Sequence, residues 1–343
     1  MTEFQGQFQD KFPDQFRQQP GQQEPQAAPA QYLKFHASGS EYFRIWIVNL
    51  LLSIVTLGIY SAWAKVRRNQ YFYSSTELAG GSFEYHGNPV SILKGRIVAA
   101  VVVGAYVFAG NVSPLLAAVM ALVMALITPW FIWRSLQFQL HNSAYRGIRF
   151  RFDGRLREAY INCLLRPLLN IVTFGLATPY IHQRLKAWQF NRSRFGQARF
   201  SLHGGAGPFY KLYAAFVILA IIVIGVAMWS LLSAAPIQMA KGNLNVKADQ
   251  IARSMWIFAA IYILLLSLIP LFVSLVQNLV WNHAQLEQHR FQSEVKWGRM
   301  LFIIVSNYGA VICTLGLFLP FAQVRLMRYR FDSLALLPQG SLD

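Results

Sequence analysis

The sequence predicts an all-α polytopic membrane protein with internal repeats. Three observations predict this fold class: a low content of charged residues, apolar blocks of membrane-spanning length, and a motif that occurs three times. Of the 343 residues, 55% are hydrophobic and only 13% are charged, whereas an ordinary soluble domain carries about 25% charged residues. The composition therefore favours a chain that is embedded in a lipid bilayer.

Four apolar blocks are long enough to cross a membrane as helices. The block from Leu212 to Leu232 has no charged residue over 21 positions, and a helix of that length matches a hydrocarbon core of about 30 Å. The blocks 114–133 and 255–281 meet the same criterion, and 97–110 meets it with less margin. We therefore predict four spanning helices.

A repeated motif organises the rest of the chain. IVTLGIYSAWAKVR at 54–67 returns as IVTFGLATPYIHQR at 171–184, and again as CTLGLFLPFAQVR at 313–325. Agreement without gaps over such distances indicates an internal repeat. The predicted organisation is a disordered Gln/Pro-rich tail at 1–31 and a single membrane domain at 32–336, with repeats at about 41–153 and 158–298 and a final hairpin at 299–336.

Each copy of the motif lies in an apolar block that has basic residues on both flanks, at 43–63, 160–181 and 300–321. A spanning helix normally has an excess of Lys and Arg on its cytoplasmic side only. We therefore predict three re-entrant hairpins that break at the glycine of the T-[LF]-G element, which is Gly58, Gly175 or Gly316. The alternative is seven spanning helices, because a block of 21 residues can also cross the bilayer.

Short strands are predicted between the helical blocks. FEYHG at 83–87, FRFDG at 150–154 and FSLHG at 200–204 alternate large apolar with polar residues and end at glycine. Such alternation with a closing glycine is typical of a short strand and turn. In the re-entrant topology these segments lie on the cytoplasmic side, together with most of the basic loops.

The first motif also carries a family resemblance. NLLLSIVTLGIYSAWAKVRRNQYF at 49–72, followed by FEYHGNP and ILKGR, resembles the bacterial inner-membrane proteins of unknown function typified by YjgN. The resemblance covers most of residues 32–335. It implies a location in the bacterial inner membrane and implies no activity or catalytic residue.

The repeat indicates one candidate polar site inside the membrane. Each copy has a polar residue seven positions before its threonine, so that the two lie on one helix face. These pairs are Asn49 with Thr56, Arg166 with Thr173, and Asn307 with Thr314. They could form a ligand site in which Arg166 contacts an anion, since a charge inside a bilayer is expensive unless it is paired or hydrated. Alternatively, they could simply hold helices together.

A second set of residues suits the membrane interface, where aromatic rings and cations meet phosphate groups. An arginine follows each hairpin, an aromatic residue precedes it, and a lysine begins two of the spans. The predicted lipid-interface residues are Arg67, Arg184, Arg325, Trp63, Tyr180, Lys94 and Lys211.

Enzymatic function is not indicated by any motif. The sequence contains no phosphate-binding loop, nucleophile elbow or metal-ligand spacing, and the net charge of +17 is explained by basic residues that flank apolar blocks. We expect a non-enzymatic protein without cofactor, metal or nucleic acid, whose partner is the lipid bilayer with its anionic headgroups. Its function is expected to be permeation or transport of a small, anionic solute. The alternative is a membrane scaffold that binds anionic lipid or a partner protein through its basic cytoplasmic face.

Overall fold

The computed structural model describes residues 29–234 and 248–339 of the chain. The tail predicted to be disordered, 1–31, lies outside the described residues except for its last three positions. The described helices, in chain order, are α1 (Gly39–Val55), α2 (Ser61–Ser74), α3 (Pro89–Val112), α4 (Pro114–His141), α5 (Leu156–Tyr160), α6 (Arg166–Val172), α7 (Thr178–Asn191), α8 (Gly207–Ala234), α9 (Ala248–Trp281), α10 (Trp297–Cys313) and α11 (Leu319–Asp332).

The helices form a closed circuit. Each helix contacts the next along the chain, with α5 and α6 connected through a π-helical turn, and α11 returns to pack against α1. A π-helical turn at Ile161–Leu165 joins α5 to α6, so that the second hairpin also begins with one continuous helical segment. Asn88 begins α3 by accepting a hydrogen bond from the Val90 amide at 2.8 Å, with Pro89 in the first turn, where the missing N–H of proline is harmless.

The fold is not all-α, and that part of the predicted fold class is wrong. The described residues contain one antiparallel sheet of 11 strands, in the order β1-β11-β10-β9-β8-β7-β6-β5-β4-β3-β2. The strands are β1 (Gln31–Tyr32), β2 (Lys34–Phe35), β3 (Thr76–Leu78), β4 (Gly81–Tyr85), β5 (Ser143–Tyr145), β6 (Ile148–Phe152), β7 (Ser193–Phe195), β8 (Ala198–Leu202), β9 (Ala284–Leu286), β10 (His289–Ser293) and β11 (Leu334–Leu337).

The sheet nearly closes into a barrel. Its order begins with β1 and ends with β2, and only Leu33 separates these two strands in the chain. Gln31 pairs with Leu336 on one side, whereas Lys34 pairs with Glu77 on the other. One short extended segment therefore joins the two ends of the sheet.

One face of the sheet is apolar and the other is polar. The residues that pair across neighbouring hairpins form a row on the apolar face, which packs against the ends of the helices. The pairs in this row are Phe83 with Tyr145, Phe150 with Phe195, Phe200 with Leu286, and Phe291 with Leu336. The polar face carries cross-strand arginines, such as Arg151 opposite Arg194, and Asp153 lies within ion-pair distance of both. This alternation explains why the apolar face forms the core beneath the helices.

Each group of helices leaves the sheet from one strand and returns to the strand that is hydrogen-bonded to it. α3 and α4, for example, leave from β4 and return to β5, and these two strands pair with each other. Four helical segments are long and apolar enough to cross a membrane among the described residues: 89–112, 114–141, 207–229 and 255–281. In the T-[LF]-G blocks, by contrast, short helices turn back to the same sheet. The alternative of seven straight spanning helices is therefore wrong.

The turn in each T-[LF]-G block requires two consecutive residues with positive φ. Leu57 and Gly58 have φ values of 49° and 89°, and the matching pairs in the other two copies, Phe174–Gly175 and Leu315–Gly316, are nearly identical. Left-handed conformation costs an ordinary residue about 1–2 kcal/mol but is free for glycine. The turn is closed by Thr56, whose hydroxyl accepts a hydrogen bond from the Tyr60 amide at 2.9 Å.

Candidate functional site: a cationic cleft beside the first hairpin

A cleft of about 270 Å³ lies between α1, α2, α3 and α11. The first hairpin supplies two of its walls, and the N-terminal turns of the first spanning helix supply a third. Its polar lining includes three cations, Lys65 and Arg68 from α2 and Arg96 from α3. The cleft therefore combines residues that are far apart in the sequence.

Helical spacing directs the cations to the same place. Ser61, Lys65 and Arg68 are separated by four and three residues on α2, and such positions lie on one helix face. Arg96 Nη1 donates a hydrogen bond to the Ser61 hydroxyl and so joins α3 to the start of α2. On the opposite wall the Tyr42 hydroxyl donates to Gln323 Oε1 at 3.0 Å, which ties α1 to α11.

The cleft has an unbalanced positive charge. The ion pairs formed in the described parts of the chain do not include Lys65, Arg68 or Arg96. Partial burial, followed by the charges of Arg96 and Arg68, holds the pKa of Lys65 below its usual range. Three cations without a carboxylate repel one another, and a bound anion would relieve that repulsion.

Asn49 is the residue of the predicted polar set that lies in this cleft. Its side chain is only 6% exposed, and its Oδ1 has no hydrogen-bond partner among the described residues. A buried polar atom that lacks a partner costs about 1–3 kcal/mol. The neighbouring Ser53 does not relieve this cost, because its hydroxyl donates to the backbone carbonyl of Asn49 at 2.7 Å.

Among the described residues, no hydrogen bond connects the predicted polar residues Asn49, Arg166 and Asn307 to one another. Asn307 accepts from Arg325 Nη1 at 3.3 Å and donates to the Ala322 carbonyl at 3.2 Å, so it is satisfied within its own hairpin. Arg166 is half-buried and donates to Asn162 Oδ1, four residues away on the same helical segment. Each position therefore has a local environment of its own.

The three predicted threonines have a local role in the turns. Thr173 Oγ1 accepts from the Ala177 amide at 3.1 Å, and Thr314 Oγ1 accepts from the Phe318 amide at 3.0 Å. Thr56 makes the equivalent contact, and each hydroxyl also donates to the carbonyl four residues earlier. Such bonds compensate backbone groups that are freed where a helix ends.

The predicted lipid-interface residues lie on exposed surfaces or beside aromatic rings. The guanidinium carbons of Arg67, Arg184 and Arg325 lie 6.0, 5.3 and 5.8 Å from the ring centroids of Tyr60, Tyr180 and Phe302. Trp63 stacks on Tyr60, with ring centroids 6.2 Å apart. Lys94 and Lys211 are exposed in the second turns of α3 and α8. These contacts fit the interface, and contact with lipid remains a prediction.

Sequence reasoning missed the three cations as a site. In the sequence, Lys65 and Arg68 stand out only as flanking charge, and Arg96 only as part of a basic loop. The K-x-x-R spacing on α2 gives their common face, but only the contact of α2 with α3 shows that Arg96 joins them. No group of three or more His, Cys, Asp or Glu side chains suited to a metal ion occurs within 29–234 and 248–339.

Comparison with known proteins identifies relatives in bacterial inner membranes. A family model described as "Bacterial protein of unknown function (DUF898)" matches residues 30–343. Inner membrane protein YjgN of Escherichia coli O157:H7 is 27% identical over 164 residues, which cover 45% of this chain and 40% of the relative. YjgN of Escherichia coli K12 is 28% identical over 153 residues, or 43% and 37% of the two chains.

A third relative, inner membrane protein YjgN of Salmonella typhimurium, is 28% identical over 144 residues. The matched region spans about two fifths of the length of these curated relatives, between 36% and 40%. No solved structure matches the chain. The relatives therefore support an inner-membrane location and leave the activity open.

Proposed function

This chain belongs to the DUF898 family of bacterial proteins of unknown function, and we propose that it is an inner-membrane protein that binds a phosphate-bearing lipid headgroup. The observation that carries this proposal is the cleft in which Lys65, Arg68 and Arg96 have no carboxylate partner among the described residues. Arginine and lysine are the side chains that bind phosphate oxygens most often in proteins.

The position of the cleft along α3 favours a lipid over a soluble anion. Arg96 is followed by an uncharged run from Ile97 to Trp133, so it marks the boundary between the basic region and the apolar core of the first spanning pair. Lipid phosphates occupy that boundary. Trp46 and Leu50 also line the cleft and supply apolar surface for the glycerol and upper acyl chain of a lipid.

We place the sheet and the cleft on the cytoplasmic side. In the sequence, the link 111–113 carries no basic residue and the link 235–254 carries three, whereas the strands and their neighbouring helices carry most of the 31 basic residues. The positive-inside rule assigns the basic side to the cytoplasm. Under this orientation the cleft meets the inner leaflet of the membrane.

Permeation of a small anion is less well supported than lipid binding. Pores for anions are typically lined by rings of Arg or Lys, yet the first spanning pair has no charged residue between Ile97 and Trp133. The cationic groups of the cleft lie at one end of that pair. We therefore propose a binding role without catalysis, in which the headgroup holds the first hairpin, α3 and α11 together.

Retention of lipid by the purified full-length protein tests this proposal. Native mass spectrometry in detergent would compare phosphatidylglycerol with phosphatidylcholine for the wild type and for Arg68→Gln with Arg96→Gln. Charged hydrogen bonds contribute about 1.5–3 kcal/mol each, so the double variant should lose phosphatidylglycerol retention by more than about tenfold. Inorganic phosphate in the buffer should displace little lipid if the site requires the whole headgroup and its chains.

Arg67→Gln with Lys94→Gln is the matched control. This pair removes the same charge from α2 and α3, but neither residue lines the cleft. Because both residues are predicted to contact lipid only at the general interface, this pair should lose much less phosphatidylglycerol retention than Arg68→Gln with Arg96→Gln. Equal losses in both double variants would show general electrostatic attraction and would contradict a specific site.

A further inference from the structure

We infer that the headgroup bound in the cleft carries a hydroxyl group, as a phosphoglycerol does, and that Asn49 selects it. This inference rests on the proposed phosphate site and adds the chemical class of its ligand. It is carried by a different observation, namely that the buried Oδ1 of Asn49 has no hydrogen-bond partner among the described residues.

The third copy of the repeat shows how this asparagine position is normally satisfied. Asn307 occupies the position equivalent to Asn49, and its Oδ1 accepts a hydrogen bond from Arg325 Nη1 at 3.3 Å. The equivalent arginine in the first copy is Arg67, 18 residues after Asn49. Arg67 instead lies over the Tyr60 ring, 6.0 Å from its centroid. The arginine that donates to the asparagine in the third copy therefore contacts Tyr60, and not Asn49, in the first copy.

No group in the described part of the chain supplies the missing donor. Buried polar atoms in proteins are nearly always hydrogen-bonded, and exceptions call for an explanation. Asn49 lines the same cleft as the three cations, so a ligand held there by its phosphate lies beside this side chain, and rotation of the carboxamide would turn the buried Oδ1 toward a second group of the ligand. That second group must be a hydrogen-bond donor, since a carbonyl oxygen only accepts.

Electrostatics decides which kind of donor fits. An ammonium group would donate, but it would enter a cleft that already contains Lys65, Arg68 and Arg96 without a carboxylate partner in the described chain. Like charges repel, and an ammonium group would add a fourth cation to these three. A hydroxyl donates the same hydrogen bond without charge. The ligand is therefore an anionic phosphodiester that bears a hydroxyl, and phosphoethanolamine and phosphocholine are disfavoured.

Two lipids of equal charge isolate this hydroxyl. Phosphatidylglycerol and phosphatidylethanol are both monoanionic phosphodiesters, but only phosphatidylglycerol has hydroxyl groups on its headgroup. The full-length wild-type protein, mixed with both lipids in detergent, should retain phosphatidylglycerol about fivefold better in native mass spectra, as expected for one net hydrogen bond. Asn49→Leu, which keeps a similar volume, should retain the two lipids equally.

Controls separate this inference from the site on which it rests. Asn307→Leu changes the equivalent position in the third copy and should leave the preference for phosphatidylglycerol intact. Asn49→Ala provides a second variant if the leucine side chain disturbs packing, and it should also abolish the preference.

The outcomes are distinguishable. If the wild type retains both lipids equally, and Arg68→Gln with Arg96→Gln releases both, the phosphate site stands and the hydroxyl inference is overturned. If neither anionic lipid exceeds phosphatidylcholine, the proposed function itself fails. A preference that persists in both Asn49 variants would assign the hydroxyl contact to another residue and would also overturn the inference.

Discussion

The first and second copies of the repeat place different chemistry at the same position of the fold. A step of 117 residues along the chain takes Lys65 to His182 and Arg96 to Tyr213. In the second copy these side chains satisfy each other, since His182 Nδ1 lies 2.9 Å from the Tyr213 hydroxyl. In the first copy both positions hold cations that have no carboxylate partner among the described residues.

The second copy also fills its space with aromatic rings. The His182 ring lies 5.4 Å from that of Phe209 and 6.3 Å from that of Phe272, by ring centroids. The shared hairpin therefore does not determine whether a cleft forms. Side-chain choice at a few equivalent positions decides between a packed polar pair and a site that can accept a ligand.

The largest expected effect comes from replacing cleft side chains of the first copy with their counterparts from the second copy. Lys65→His together with Arg96→Tyr gives the first copy the residues of the second, and it removes two of the three cations. We expect more than a tenfold loss of phosphatidylglycerol retention, because two charged contacts disappear. The measurement is native mass spectrometry of the full-length protein. His182→Gln with Tyr213→Phe should leave retention unchanged, and an equal loss there would place the site in the second copy.

A second difference concerns the carboxylate at the base of each hairpin. Glu158 has a 22% exposed side chain and accepts hydrogen bonds from Trp188 Nε1 and Arg192 Nε, both at 3.0 Å. Burial raises the pKa of Glu158, but the contacts with Arg192 and Trp188 outweigh it and hold the pKa below its usual range. Glu158→Gln should lower the free energy of unfolding by about 2 kcal/mol, measured as a fall in melting temperature in detergent.

Glu41 offers the matched control for this prediction. It occupies the equivalent position in the first copy and, among the described residues, its side chain accepts a hydrogen bond only from the Tyr71 hydroxyl, at 3.0 Å, near the surface. Glu41→Gln should cost less than about 1 kcal/mol. A larger loss from Glu41→Gln than from Glu158→Gln would reverse the comparison between the two copies.

The packed polar pair of the second copy should depend on pH. Burial, and then the charge of Lys186, lowers the pKa of His182 from 6.5 to about 4. The unfolded chain therefore binds a proton at this residue below about pH 6.5, whereas the folded chain does not until about pH 4. Stability is complete above pH 6.5 and falls as the pH drops through this window.

Melting temperatures at about pH 7.5 and about pH 5, which lie on either side of the free histidine pKa of about 6.5, would measure this dependence. His182→Gln places the residue of the third copy, Gln323, at this position. The variant should show a smaller fall in melting temperature on acidification than the wild type. Parallel curves of melting temperature against pH for the two proteins would mean that burial does not lower the pKa of His182 and that His182 and Tyr213 do not form their hydrogen bond.

The smallest expected effect concerns a feature that the copies share. Gly58 has a φ of +89°, and no atom lies within 4 Å of the place that an added Cβ would occupy, so Gly58→Ala should cost about 1 kcal/mol from backbone conformation alone. Gly95 lies in α3 with open space as well, and Gly95→Ala should stabilise the helix by up to about 1 kcal/mol. Chemical denaturation of both variants checks the difference in sign. Equal effects would show that the turn tolerates alanine.

Local elements that repeat could be predicted from the sequence, whereas contacts between elements that are far apart in the chain could not. Gly58 and its two counterparts could be identified because the turn is local and depends on a few adjacent residues. The pairing of Phe83 with Tyr145 could not, because α3 and α4 separate the two strands. Strands of two to five residues also carry too little alternation to indicate a continuous sheet.

The candidate site shows the same difference between local features and contacts between distant elements. Asn49 was predicted from its spacing to Thr56, which is a property of one helix. That Arg67 turns toward Tyr60, and that Arg96 reaches Ser61, depends on the packing of neighbouring helices. Because the cleft is lined by residues of several helices, its charge could be read only from the packed structure and not from the sequence.

The closure of the sheet has a consequence for the order of biosynthesis. The amide of Leu33 donates to the carbonyl of Leu334 at 2.9 Å, and Tyr42 meets Gln323 across a separation of 281 residues. The early segment must therefore remain without its final neighbours while every later helix is made and inserted. Contacts so distant in the chain form slowly. Closing the circuit is then the last assembly event, and the cleft that α1 shares with α11 is completed only at that moment.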